Sequence, residues 1–478
     1  MSALFAPGSL IALALTLLFF VVALQRPQRA LLAYAVLGAA PPVLQVGAFS
    51  GRTISQGLLL AQTLGTALVA AWLARRPRGR LFHSPFDGPL LVFAAATAVS
   101  LVVSIAMPDP SVQDSVNLRV SVGQILLVLW PIGVYLASAE IITSTAQLLA
   151  LMRVVLVLAT LRFLNPFVPD EYRAYTAWMP TFSLFAAPLA MAMFFATERW
   201  LARLWLLALV AVPMVDGVVN GKTFLYGSVA AAGVAVLWMR ASRLIAVSGC
   251  LVAAIVLIGT LAGMDDLFRE PLTGLVEMER SQSSFGGRGG RGQLALDALA
   301  IWQGAPLFGV GPGNSYLHML QRSVIGTPHN QYLNILVEFG LVGLIAWCWF
   351  LVAVSRTGLR IYGQTTDPAQ RTFVLGWLGV FAAMVTGGVT GDYMIHSIRN
   401  GGLELFSGYY LQWVLLGGLV AVPRIATAPT LRPEEALPAG GRGRRPGRLL
   451  VTPRAGGPRV GGPPEHVAAS AVARLWRR

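Results

Sequence analysis

An all-α polytopic membrane protein, with about 12–13 transmembrane helices and one long outward loop, is what this sequence predicts. Three observations predict it. Hydrophobic residues make up 55% of the chain and charged residues only 12%, about half the charged fraction of a soluble domain, and the mean hydropathy is +0.66. Apolar runs of span length recur through most of the chain. Between them, arginines collect in alternate loops, the positive-inside pattern of helical membrane proteins.

Taken in order, the runs fall near 3–24, 30–49, 54–74, 88–106, 120–138, 148–166, 178–196, 204–220, 223–239, 244–263, 331–354, 372–390 and 403–422. The first has no positive charge before it and no clear cleavage site, so it reads as a retained span rather than a signal peptide. Several runs carry Pro41–Pro42, Pro131, Pro188 or Pro213, which membrane helices tolerate when neighbours satisfy the freed backbone. The chain thus divides into an N-terminal bundle of about ten spans over 1–263, a loop over 264–330, three spans over 331–422 and a tail over 423–478. No repeat of fixed period is visible.

Orientation follows from arginine. Arg26 and Arg29, Arg75 to Arg80, Arg199 and Arg203, Arg240 and Arg243, Arg356 and Arg360, and the tail fall on one side, assigned to the cytoplasm. Residues 107–119, 165–177, 220–222, 264–330 and 391–402 then face outward. The tail holds eleven of the arginines against Glu434, Glu435 and Glu465, so much of the net charge of +15 belongs to it. Its Gly-, Pro- and Arg-rich composition predicts disorder. Beside a membrane such charge fits anionic lipid rather than nucleic acid. Cys250 and Cys348 sit inside expected spans without a disulfide or metal spacing and read as packing residues.

Chemistry is expected in the 264–330 loop, the longest polar interruption in the chain. Gly286 to Gly292 is a flexible cationic stretch carrying Arg288 and Arg291. Glycine allows close approach to an anion and arginine offers a bidentate fork; the plainer reading is a solvated linker. Apolar residues at 294, 296, 298, 299, 301 and 302 then predict a short amphipathic helix lying on the membrane surface. Gly309 to Asn314 predicts a tight turn, and with no strand before it the glycine run is not a dinucleotide site.

Of five histidines, His329 is the strongest acid/base candidate, placed between Pro328 and Asn330 where a span begins. An imidazole exchanges protons near neutral pH, although a lone histidine also serves as a structural hydrogen-bonding group. His318 and His396 are weaker candidates. Lys222 is the one lysine in the chain; at the outward end of a span it either snorkels or binds an anion. Arg173 is a further outward cation, free to pair with Asp170 and Glu171 instead. No HExxH, GxSxG, Walker loop or carboxylate cluster is present. Outward cations and one histidine on a lipid-embedded scaffold suit a lipid-anchored diphosphate, whose leaving charge is stabilised by Arg and Lys rather than a metal.

The block Gly290-Arg291, Ala298-Leu299, Pro306-Leu307-Phe308-Gly309-Val310-Gly311-Pro312-Gly313-Asn314, Pro328-His329-Asn330-Gln331-Tyr332-Leu333 and Glu338-Phe339-Gly340-Leu341-Val342-Gly343 resembles the signature of the O-antigen ligase/O-antigen polymerase (Wzy-type) superfamily. The resemblance implies a GT-C-type helical fold in the bacterial inner membrane, with the 264–330 loop and the active site on the periplasmic face. It implies transfer of a glycan from an undecaprenyl-diphosphate-linked donor to lipid A-core or a growing glycan, without nucleotide sugar, cofactor or metal. It places Arg291 on the diphosphate and His329 at the acceptor hydroxyl, with Asn330 beside it. Where the family commonly has Ser-Arg-Gly, this chain has Gly221-Lys222-Thr223, keeping the cation but not the fork. A second family arginine falls at Arg173, followed by a divergent Ala-Tyr-Thr-Ala. The rival expectation, a transporter or flippase of the same lipid-linked glycan, needs charges within spans near the midplane; Arg153 and Arg162 are the interior candidates.

Overall fold

The computed structural model describes residues 7–38, 45–49, 52–75, 84–110, 112, 116–164, 182–219, 233, 291–322, 326–389, 391, 394–395 and 406–427. The expected span 244–263, the span 223–239 apart from residue 233, the loop from 264 to 290 and the tail beyond Thr427 lie outside the described residues, while the expected tail residues 423–427 continue the last helix.

The described residues are overwhelmingly helical. The helices are α1 (Pro7–Gln25), α2 (Pro27–Leu37), α3 (Gln56–Arg75), α4 (Asp87–Ala106), α5 (Leu118–Ile141), α6 (Thr145–Leu164), α7 (Phe182–Ala196), α8 (Trp200–Val219), α9 (Arg291–Gly304), α10 (Ser315–Arg322), α11 (Gln331–Gln364), α12 (Pro368–Gly387) and α13 (Phe406–Thr427). Five of them, α4, α5, α11, α12 and the part of α13 from Tyr410 to Thr427, are long and apolar enough to cross a membrane. This is an all-α polytopic membrane architecture. One expected span differs: the apolar run 30–49 is not one helix. Helix α2 stops at Leu37, ahead of Pro41–Pro42, and β1 (Gln45–Phe49) pairs antiparallel with β2 (Arg52–Ser55). Proline lacks the N–H that a helix interior needs, and it disfavours the helical conformation in the residue before it.

Local sequence sets the helix starts. Asn117 caps α5 by accepting the Val120 N–H at 3.2 Å, and Asp367 caps α12 by accepting the Gln370 N–H at 2.8 Å with Pro368 in the first turn. In lipid the apolar side chain gains little by leaving its solvent, so helices associate through close packing and interhelical hydrogen bonds. The core shows both. Phe93 meets Phe339 edge-on at 5.5 Å, and Trp347, Phe350 and Trp413 continue the aromatic stack through the middle of the bundle. Helix α13 lies close against α5, where a Cβ added to Gly417 would stand 2.6 Å from the Ser138 Cβ. Cys348 corrects one expectation: it points out of the bundle and is exposed.

Helices α4, α5 and α11 define two ends. At one end, where α5 starts and α4 stops, lie Asn117, Ser104 and the beginning of α11. At the other, Asp87 accepts from the Ser84 N–H and hydroxyl, each at 2.9 Å, and from the Tyr135 hydroxyl; there too Trp72 donates to Glu140. Arginine marks this second end, where Arg75 donates to the Leu24 carbonyl at 2.7 Å and Arg371 covers the Tyr362 ring at 4.6 Å.

Candidate functional site

The site is built on a break in α11. Gly340 has φ 66° and ψ −166°, which divides α11 into a first arm before it and a second arm after it. A break strips carbonyls and amides of their helical partners, and in lipid those groups must be satisfied within the protein. Residues 305–311 do this. Val310 and Gly311 donate their N–H groups to the Val337 and Glu338 carbonyls at 2.9 and 3.1 Å. Leu341 and Val342, on the far side of the break, donate to the Pro306 and Leu307 carbonyls at 2.9 and 3.2 Å. The Ser100 hydroxyl from α4 adds a second donor to the Glu338 carbonyl at 2.6 Å.

This splint accounts for the glycines of the motif. A Cβ on Gly340 would overlap the Leu307 carbonyl, and one on Gly309 would overlap the Val337 carbonyl. Both residues also have positive φ, a region that side chains other than glycine rarely adopt. The expected tight turn is therefore a backbone insert that holds two halves of a helix together. Asn314 ties it to α5: its Oδ1 accepts from the Asn117 N–H at 3.2 Å and the Ser121 hydroxyl at 3.3 Å, while its Nδ2 donates to the Val310 carbonyl at 3.2 Å.

His329 immediately precedes the first arm and is anchored through its neighbours. Its own N–H donates to Thr327 Oγ1 at 3.2 Å. The Asn330 side chain caps the arm, accepting from the Tyr332 and Leu333 N–H groups at 3.0 and 3.1 Å, so the two Nδ2 donors of Asn330 are what it has left to offer a ligand. Gln331 donates its N–H to the Gly388 carbonyl at 2.8 Å, and its Oε1 accepts the Met394 N–H at 2.8 Å. The Tyr332 hydroxyl donates to the Val385 carbonyl at 2.6 Å. Held this way, His329 sits half-buried with φ 48°, the one non-glycine residue with positive φ among the described residues. Such a conformation persists only where the surroundings impose it, and it clusters at functional sites.

Arg291 is the first residue of α9, and its backbone alone is described. Leu294, Ala298 and Ile301 of α9 share one buried cluster with Met319 of α10 and Val337 of the first arm, and Leu333 packs against it. The apolar stripe expected to face the membrane is thus turned onto protein, with Leu296 on the opposite side and 61% exposed. Helix α9, which Arg291 begins, thus packs on the first arm of α11, whose first residue follows His329 by two positions. Arg288, Lys222 and Arg173 lie outside the described residues. Of the interior cations, Arg153 is half-buried in α6, and the side chain of Arg162 is outside the description.

Sequence reasoning gave Glu338 no role of its own and ranked His318 as a weaker candidate than His329. Glu338 is buried inside the first arm and accepts the Ser315 hydroxyl at 2.6 Å; its signal was an acid within an apolar run. His318 is 4% exposed, and its Nδ1 stands 3.5 Å from Asp109 Oδ2. Burial pushes the His318 imidazole below its ordinary range, against the pull of Asp109 and with the push of Arg322. No local pattern joins Asp109 to His318, because their partnership is created by packing.

The family model described as O-antigen ligase matches residues 218–348, a stretch that contains α9, α10, the splint, His329 and the break in α11. No curated protein matches the chain. Over residues 218–348 the chain is similar to the O-antigen ligase family, which supports the resemblance of the motifs to the ligase/polymerase superfamily.

Proposed function

We propose that this chain, a multi-pass membrane protein similar to the O-antigen ligase family over residues 218–348, transfers a glycan from an undecaprenyl-diphosphate-linked oligosaccharide to an acceptor at the periplasmic face of the inner membrane. The acceptor hydroxyl oxygen attacks the anomeric carbon of the donor sugar, and the bond from that carbon to the diphosphate oxygen breaks. His329 takes the hydroxyl proton. The diphosphate leaves with the bonding pair, its charge stabilised by Arg291, Lys222, Arg173 and Arg288 without a metal, while Asn330 donates to a substrate oxygen. Groups that meet charge only as it develops lower the barrier most.

The observation that carries this reading is the conformation of His329. A histidine with φ 48°, fixed between a buried proline and a helix cap inside the matched domain, is held ready at a cost of about 1–3 kcal/mol. The arginine-marked end of the bundle lies opposite His329, which supports the periplasmic assignment.

The test is a deletion strain supplied with wild type, Arg291→Ala or His329→Ala, with surface glycan resolved on gels and lipid-linked intermediates quantified. Long chains accumulating on the carrier without reaching lipid A identify a ligase; single repeats on carrier and acceptor identify a polymerase. Intermediates trapped on the cytoplasmic face would instead establish the transporter. Normal transfer by a folded His329→Ala protein would remove His329 from the mechanism.

A further inference from the structure

Beside the splint lies a cleft of about 500 Å³, of the size that takes a small organic ligand. One wall is the end of α4 with Met107, Pro108 and Asp109; the other is the splint itself, with Leu307 and Phe308; His318 of α10 completes it. None of the residues assigned to the transfer step lines it. Among its apolar walls stand the polar side chains of Ser104, Asp109 and His318, with His318 Nδ1 3.5 Å from Asp109 Oδ2.

Which ring nitrogen of a neutral histidine carries the proton is set by the partner of the other. A carboxylate facing Nδ1 holds the proton there and leaves Nε2 as an acceptor. Burial pushes the pKa of this imidazole below its ordinary value, against the pull of Asp109, and so favours its neutral form. A neutral acceptor among flat apolar groups matches a sugar ring, which presents apolar C–H faces and hydroxyl edges. It does not match a phosphate, which calls for donors and positive charge.

We infer that the cleft between residues 107–110 and the splint is a glycan subsite, in which His318, oriented by Asp109, accepts a hydrogen bond from a sugar hydroxyl. The inference rests on the transferase reading and gives it a second contact, outside the reacting centre. His318 is a positioning residue for a bound sugar, and the sugar belongs either to the donor glycan or to the acceptor.

The experiment uses the full chain in nanodiscs. Lipid-linked donor and acceptor are titrated separately, and the free oligosaccharide released from the donor by mild acid serves as a binding probe followed by saturation-transfer NMR. His318→Ala is expected to raise one KM about five- to tenfold, the loss of one hydrogen bond, with kcat within about twofold of wild type. His318→Gln, which retains an acceptor, restores most of it. Leu307→Trp, at a side chain that is 58% exposed, narrows the cleft and has the same effect without touching the buried histidine. A raised donor KM with lost oligosaccharide binding places the donor glycan in the cleft; a raised acceptor KM with oligosaccharide binding retained places the acceptor there. Unchanged KM values for all three variants overturn the subsite while wild-type transfer leaves the enzyme standing. If wild type transfers nothing, the transferase reading fails, and loss of oligosaccharide binding in Leu307→Trp still decides whether the cleft holds sugar.

Discussion

Helices α4 and α5 run together from end to end, yet their two ends hold polar groups in different ways. At the arginine-marked end, Ser84, Asp87 and Tyr135 close on one another in a compact set with Asp87 buried at its centre. At the other, Ser100 and Asn314 spend most of their hydrogen bonds on main chain, a broken helix, the splint that repairs it and the start of α5, with one more from Asn314 to Ser121. The first network bonds side chain to side chain. The second supports an irregular backbone, with the 500 Å³ cleft beside it and His329 ahead of the first arm that leads to it. Irregular backbone at membrane depth is tolerated only where protein or a cavity surrounds it. The contrast separates polar groups that hold the bundle from polar groups that hold a site.

Substitutions at the two ends should therefore fail differently. The largest effect is expected from Gly340→Ala, which sets a Cβ against the Leu307 carbonyl at positive φ; a loss of about 3 kcal/mol or more should appear as a sharply lowered melting temperature and no detectable transfer. Next, His329→Ala should cut transfer by about 100-fold or more in protein that melts normally. His329→Gly should be equally inactive yet more stable by about 1 kcal/mol, since the positive φ no longer strains a side chain. Were the glycine variant no more stable than wild type, the strain would not reside at that residue. At the opposite end, Tyr135→Phe removes one donor to Asp87 and should cost about 1–2 kcal/mol in denaturation, with kcat unchanged. A fall in kcat there would erase the distinction between the ends. The smallest effect is that of Asn330→Ala, about 1 kcal/mol from the lost cap, with a modest rise in KM.

Much of this fold was legible in the sequence because lipid imposes one solution on an apolar run: α4, predicted at 88–106, is Asp87–Ala106, and α5, predicted at 120–138, is Leu118–Ile141. The run 331–354 showed where α11 lies but not its break, since one glycine in an apolar stretch is compatible with an intact helix. The break depends on residues 305–311, and nothing local announces that pairing. Pro41–Pro42 were read as tolerated within the span 30–49, yet α2 ends at Leu37 and β1 and β2 pair where parts of two spans were expected. His329 was legible because a proline and a capping residue flank it. The pairing of His318 with Asp109, more than 200 positions apart, was not.

The splint has a consequence for modularity. Because residues 306–311 are bonded to 337–342, the chain between them leaves and returns at nearly one point, and the ends of that excursion are fixed whatever its contents. Closing a loop whose ends are already joined adds only slowly to the entropic cost as the loop lengthens. The excursion behaves as a cassette clipped into a socket of backbone, one in which α10 and the approach to His329 can be lengthened or rewritten while the helices that carry it through the membrane keep their register.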